Sequence, residues 1–184
     1  YYTQCVGKMH VHPLRNLMGF HNIELHDGYL HAYRNGNVPY AENQKIADDY
    51  FYWLKTQLGI DRDVTDCGLE CNSFTARPWM YEERLHPTNW VTDRSIDFLR
   101  RRDRSMPFFL MASYLRPPPP FDAPEAFFDL YRHRELTPPA IGDWADRERL
   151  QRLGRLTDAD TGSVDPELMR QARIGYYACI SHLD

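Results

Sequence analysis

The chain has 184 residues, of which 42% are hydrophobic and 14% aromatic, and it carries a formal net charge of −4. That is enough apolar surface for one compact domain, and the near-neutral balance argues against a nucleic-acid binder, which would show a basic patch. No apolar run approaches the roughly 18 residues of a membrane span, and the first residues lack the basic and apolar regions of a signal peptide.

The sequence opens in what reads as mid-strand and stops at His182-Leu183-Asp184 in what reads as mid-helix. Both ends are therefore expected to be cut from something longer. Cys67 and Cys71 form a CxxxC rather than the CxxC of zinc knuckles, and Cys5 and Cys179 make no second pair. Reduced thiols in a cytoplasmic protein are the expectation, with a Cys67–Cys71 bridge in an exported protein as the alternative.

Residues 2–7 end at Gly7 and predict a short buried strand. A loop rich in His, Pro and Asn leads to Gly19, and Phe20 to Leu25 predict a second strand closed by Asp27-Gly28. From Glu42 to Leu58 the apolar residues Ile46, Tyr50, Trp53, Leu54 and Leu58 recur at helical spacing, with Gly59 as the stop. Residues 60–86 are irregular. Pro87 or Thr88 opens a helix with Val91, Ser95, Phe98 and Leu99 on one face and Arg100 to Arg102 at its negative end.

The run from Phe108 to Tyr114 is continuously apolar, as in a parallel strand covered on both faces. Four prolines, 117–120, force an extended segment. A short helix follows over Ala123–Tyr131, then a charged surface segment over 132–164. Asp165-Pro166-Glu167 reads as N-cap, N1 proline and first-turn acid, opening a helix whose apolar stripe is Met169, Ala172, Tyr176, Ile180 and Leu183. Strand, helices, strand, helix is an α/β pattern with a crossover between 2–7 and 108–114.

Gly7-Lys8-Met9-His10 is the segment richest in chemistry. It follows a predicted strand, and ligand sites in open α/β sheets sit beyond the ends of parallel strands. A Lys and a His two residues apart reach one anion: the ammonium neutralises charge while the imidazole donates or shuttles a proton. On four residues alone, a solvated Lys beside a structural His explains the pattern as well. His86 either lines a pocket or caps the helix after it. His12 and His26 beside His10 are read as loop histidines rather than zinc ligands, and Arg100 to Arg102 as a solvated helix end.

Beyond GKMH, the segments Asp48-Asp49-Tyr50, Asn72 to Trp79, His86 to Val91, Asp93 to Leu99 and Pro107 to Leu110 follow in order. Arg116-Pro117, Pro119 to Pro124 and Tyr176 to Asp184 complete the series. In order and spacing this series resembles the sulfatase family of the alkaline-phosphatase-like superfamily, over nearly the whole chain and least over 132–164. The resemblance implies part of a single sulfatase catalytic domain, 1–184, and hydrolysis of a sulfate ester: a small molecule or a sulfated glycan. It also implies a formylglycine nucleophile made from a C/S-x-P-x-R motif, and Ca2+ held by Asp and Asn residues.

Carried over residue by residue, the resemblance makes Lys8 the ligand of a sulfate oxygen and His10 the partner of the formylglycine hydrate. Two departures stand out. No C/S-x-P-x-R occurs, since Ser73-Phe74-Thr75-Ala76-Arg77 has Thr75 for the proline and lies after GKMH rather than before it. The metal ligands likewise belong outside this window, so none is assigned, and the chain by itself is expected to be inactive. Second, Pro118 stands where the family commonly has a sulfate-binding His, leaving Arg116 and His86 as the other candidate substrate contacts. The rivals are a phosphonate or phosphate monoester hydrolase on the same fold, or a catalytically silent binding module. No nucleic-acid or membrane partner is expected; exposed sheet edges predict self-association.

Overall fold

A computed structural model of the chain describes residues 1–28, 42, 48–59, 62–69, 74–146, 148–149 and 165–184. The chain divides into two compact units. One comprises Tyr1–Asp66 and Tyr81–Leu115, the other Cys67–Met80 and Arg116–Asp184. Among the described residues no helix is long and apolar enough to cross a membrane.

The first unit is built on three parallel strands, β1 (Tyr2–Gly7), β2 (Asn22–Leu25) and β3 (Phe108–Ser113), in the order β2-β1-β3. The predicted crossover between β1 and β3 is therefore observed. In the register, Gly7 pairs with Leu25 on one side and with Ser113 on the other. All three strands stop on one line. Gln4, Cys5 and Val6 of the central strand are buried, and Cys5, Ile23 and Leu25 form a core cluster against Met9, Phe20 and Met111.

Gly7 is the tightest point of this sheet. Its φ is +101°, and a Cβ placed there would lie 1.9 Å from the Ser113 carbonyl oxygen. Only glycine fits both the left-handed turn and the approach of a neighbouring backbone.

Two α-helices among the described residues pack against these strands. In α1 (Asp49–Leu58), the Asp48 side chain accepts the Phe51 N–H at 3.0 Å, and Tyr50, Phe51 and Leu54 point inward. Of the helix predicted from Glu42, Glu42 itself is helical and α1 starts at Asp49 after the extended N-cap Asp48; positions 43–47 of that prediction lie outside the described residues. Gly59 ends it at a φ of +100°, as its position predicts. In α2 (Pro87–Arg101), Pro87 occupies the first turn and His86 the N-cap.

The apolar strand β3 departs from expectation. Phe108 is 40% and Phe109 54% exposed, because β3 is an edge strand and only β1 pairs with it among the described residues. Arg102 stacks its guanidinium over the Phe108 ring at 4.6 Å, which covers part of this surface.

In the second unit, the proline segment delivers Phe121 to a parallel bridge with Ala76. The Arg77 N–H donates to Phe121 O at 3.1 Å and the Trp79 N–H to Ala123 O at 3.0 Å. Helices α3 (Glu125–Arg132) and α4 (Pro166–Leu183) pack together on this segment. Asp165 caps α4 through the Glu167 and Leu168 N–H groups, as predicted.

The face of α4 that is buried differs from the predicted stripe. Ala172, Ile174, Gly175, Ala178 and Cys179 are buried, whereas Tyr176 is 41% and Ile180 39% exposed. The reason is close approach: a Cβ on Gly175 would meet the Cβ atoms of Ala76 and Phe121 at 2.6 and 2.7 Å. Small residues make the contact and the larger ones turn outward. Cys71 lies outside the described residues, and with it the proposed Cys67–Cys71 bridge; so does 150–164 of the surface segment.

This packing is open to test at two points. Gly7→Ala should destabilise the fold by at least about 2 kcal/mol, combining left-handed strain with a backbone clash; an unshifted denaturation midpoint would contradict it. Burial pushes the thiols of Cys5 and Cys179 up to about 11, with Asp27 adding to the effect on Cys5. Native protein treated with iodoacetamide at pH 8 should therefore keep both unmodified by mass mapping, and rapid labelling of either would refute their burial.

Candidate active site

The shared end line of the three strands collects the chemistry in the first unit. Lys8, Met9 and His10 follow β1, His26 and Asp27 follow β2, and Tyr114 follows β3. Ends of parallel strands present loop backbone and side chains beyond the sheet, where a ligand meets them without displacing the core.

The turn after β1 is fixed at several points. The Lys8 N–H continues the β3 pairing by donating to Ser113 O at 2.9 Å, and the His26 N–H donates to Gly7 O at 3.0 Å. Asp27 Oδ1 then accepts two consecutive N–H groups, from Met9 at 2.9 Å and from His10 at 2.7 Å. His10 adopts a φ of +56°, a left-handed conformation that costs a non-glycine residue energy. Lys8 is half-buried and His10 exposed. Among the described residues the Lys8 ammonium has no carboxylate partner.

Behind the turn lie two further carboxylates, Asp48 buried and Asp49 only partly so. Asp48, 2% exposed, accepts the Asp27 N–H at 2.9 Å, sits 3.2 Å from His26 Nδ1 and caps α1. Asp49 Oδ2 accepts the Leu25 N–H at 2.7 Å while its Oδ1 pairs with Arg15 at 3.0 Å. The start of α1 is thus tied to the end of β2. His26 is buried against Tyr50 and Phe51, so it is a packed histidine rather than a member of a loop cluster with His10 and His12.

His86 is fully buried, and its Nδ1 accepts the Thr88 N–H at 3.1 Å, which is the capping alternative of the two readings. In the second unit Arg116 is 4% exposed and forks onto Asp122, Nε to Oδ1 at 2.6 Å and Nη2 to Oδ2 at 2.5 Å. This bidentate pair occupies two donors of the guanidinium that sequence reasoning offered to a substrate. Pro118 lies on the segment between the two partners of that pair, with cis bonds at 116–117 and 119–120. Ser73, the near match to a nucleophile motif, lies outside the described residues.

A cavity of about 390 Å³ opens at the opposite ends of the strands, lined by Tyr2, Gln4, Glu24, Phe98, Arg102 and Phe108 among others. It is remote along the strands from Lys8 and His10, so the site is assigned by chemistry and strand polarity rather than by cavity size. Sequence reasoning did not single out Asp27 or Asp122. Asp27 had a signal, an Asp-Gly closing a strand; Asp122 had only its place in the proline segment.

No family model matches the chain. Over all 184 residues it is 49% identical to an arylsulfatase of Clostridium perfringens, of which it covers 38%. The chain is arylsulfatase-like along its whole length. A more distant likeness, 27% over 124 residues, joins 60% of the chain to 24% of a multifunctional alkaline phosphatase superfamily protein, PehA, from Trinickia caryophylli. The sulfatase-like chain thus spans well under half the length of these two relatives. Its α/β fold with a parallel sheet agrees with both likenesses.

The Arg116–Asp122 pair is testable by itself. Asp122→Ala leaves a buried guanidinium without its counter-charge and should cost about 3–5 kcal/mol. Denaturant titration reads this directly, and a loss within about 0.5 kcal/mol, the range of an ordinary surface substitution, would show that the pair is not structural.

Proposed function

We propose that the full-length enzyme containing this chain hydrolyses sulfate esters, with Lys8 and His10 supplying part of its oxyanion-binding machinery. The observation that carries the proposal is the placement of a Lys and a His on one turn beyond the central parallel strand, in a chain 49% identical to an arylsulfatase. Small aryl sulfates or sulfated glycans are the substrate class.

A sulfate ester carries negative charge on its non-bridging oxygens, and its leaving oxygen develops more as the bond to sulfur breaks. An ammonium facing those oxygens stabilises the transition state, most strongly where water is scarce. Lys8 takes that role, its half-buried stem holding the charge near the turn. His10 holds or transfers a proton at the attacking oxygen. His86 and Arg116 are weaker candidates for substrate contact, since both are already engaged, one as a cap and the other with Asp122.

In this reading the nucleophile is a formylglycine and the cofactor is calcium. Among the described residues no three His, Cys, Asp or Glu side chains gather to hold a metal ion. The described residues therefore do not fit a calcium cage by themselves, and no step here is derived through the ion. A hard cation of this kind needs six to eight oxygen ligands; the proposal assigns them, like the nucleophile, to the remainder of the enzyme.

A second reading, a phosphonate or phosphate monoester hydrolase, draws on Pro118 in place of a sulfate-binding His and on the likeness to a protein named as multifunctional. Both readings give Lys8 and His10 the same work. The test is turnover of 4-nitrophenyl sulfate against phenylphosphonate esters by the full-length enzyme. Sulfate turnover should dominate, and Lys8→Ala should lower its rate by at least about two orders of magnitude, the usual cost of one oxyanion donor. A near-normal rate would remove Lys8 from the site, and a preference for phosphonate would favour the second reading.

A further inference from the structure

The Lys8–His10 turn raises a question that its own residues do not answer: what holds His10 in a left-handed backbone conformation and keeps two successive amides converging? The answer lies on the neighbouring strand end. We propose that Asp27 is the positioning residue of this site, a buried carboxylate that fixes the turn presenting Lys8 and His10. The inference rests on the reading of Lys8 and His10 given above and adds a residue to it.

Asp27 is 3% exposed and places one oxygen, Oδ1, on the N–H groups of Met9 and His10 at 2.9 and 2.7 Å. Consecutive N–H groups converging on a single oxygen form a concave anion-binding nest. Here the anion in the nest is the protein's own carboxylate. The amides of positions 9 and 10 are consequently committed to structure, and an incoming oxyanion must be met by side chains. That division explains why a Lys is needed at position 8, where helix or loop amides serve other anion sites.

The backbone that carries this carboxylate is itself anchored. The Asp27 N–H donates to Asp48 Oδ2, and Asp48 is fixed by the first turn of α1 and by His26. The Leu25 N–H, two residues upstream, is tied to Asp49. A line of support therefore runs from the N-terminus of α1 through the end of β2 to the catalytic turn, entirely within the first unit. Charge-assisted bonds of this kind are about twice as strong as neutral ones, enough to stabilise a left-handed histidine.

The test uses the full-length enzyme and two readouts. Asp27→Ala should raise the hydrogen-exchange rate of the Met9 and His10 amides at least tenfold. It should also lower kcat by roughly two orders of magnitude, the scale expected for a misplacement of about 1 Å. KM should change far less. Asp27→Asn keeps an acceptor oxygen of the same shape, and should restore most of the loss, with exchange and kcat between the two. If Asp27→Ala does not fold, Asp27→Asn carries both readouts in the same direction, to within about tenfold of wild type.

Unchanged exchange, or faster exchange with an unchanged kcat, overturns the positioning role. The companion variant Lys8→Ala separates the two proposals. A normal rate in Lys8→Ala alongside loosened amides and a reduced kcat in Asp27→Ala would remove Lys8 from the chemistry, while supporting Asp27 as the residue that sets the turn.

Discussion

The arrangement turns on the contact between Gly7 and the carbonyl of Ser113. At 1.9 Å from that oxygen, a side-chain carbon is excluded outright, so the chain at position 7 must be glycine and can take the left-handed φ that ends the strand. From this point the backbone leaves the sheet while Lys8 still bonds to Ser113 and Gly7 still accepts from His26. Three strands end together, and the residues that follow them meet in one place. Without that close approach the turn would leave the sheet elsewhere, and the carboxylate at position 27 would have no amides to hold.

Much of this was legible because local rules and tertiary structure agree. The Asp165-Pro166-Glu167 helix start, the Gly59 stop and the strand at 2–7 all rest on backbone chemistry that acts within a few residues. The turn Gly7-Lys8-Met9-His10 could be singled out because its residue types are charged or titratable and its position follows a strand. Asp27 could not be given a role from sequence, since its two partners lie 17 and 18 residues upstream and the link depends on the parallel register of β1 and β2. His86 had two readings that spacing could not separate; its bond to the Thr88 amide establishes the capping role.

The departures have physical causes of the same kind. Periodicity placed the large apolar residues of α4 inward, but packing against Ala76, Phe121 and Phe128 selects Gly175 and its small neighbours because distance, not hydrophobicity, limits the contact. A continuous apolar run marked β3 correctly as a strand and overstated its cover, since composition does not say how many neighbours a strand has. Arg116 reads as a ligand for an anion, and two of its donors are taken by Asp122, six residues away in the same unit. A buried bidentate pair and a substrate clamp need the same residue type, so only geometry tells them apart.

The proposed chemistry depends on a cationic side chain meeting a tetrahedral anion beyond the end of β1. A crystal structure of the full-length enzyme soaked with a sulfate-ester analogue or with vanadate measures this most directly. The expected result is an anion oxygen at about 2.8 Å from Lys8 Nζ, the length of a charge-assisted bond, with the His10 imidazole facing the same anion and Asp27 still closed on the amides of residues 9 and 10. An anion bound elsewhere, with Lys8 turned to solvent, would contradict it.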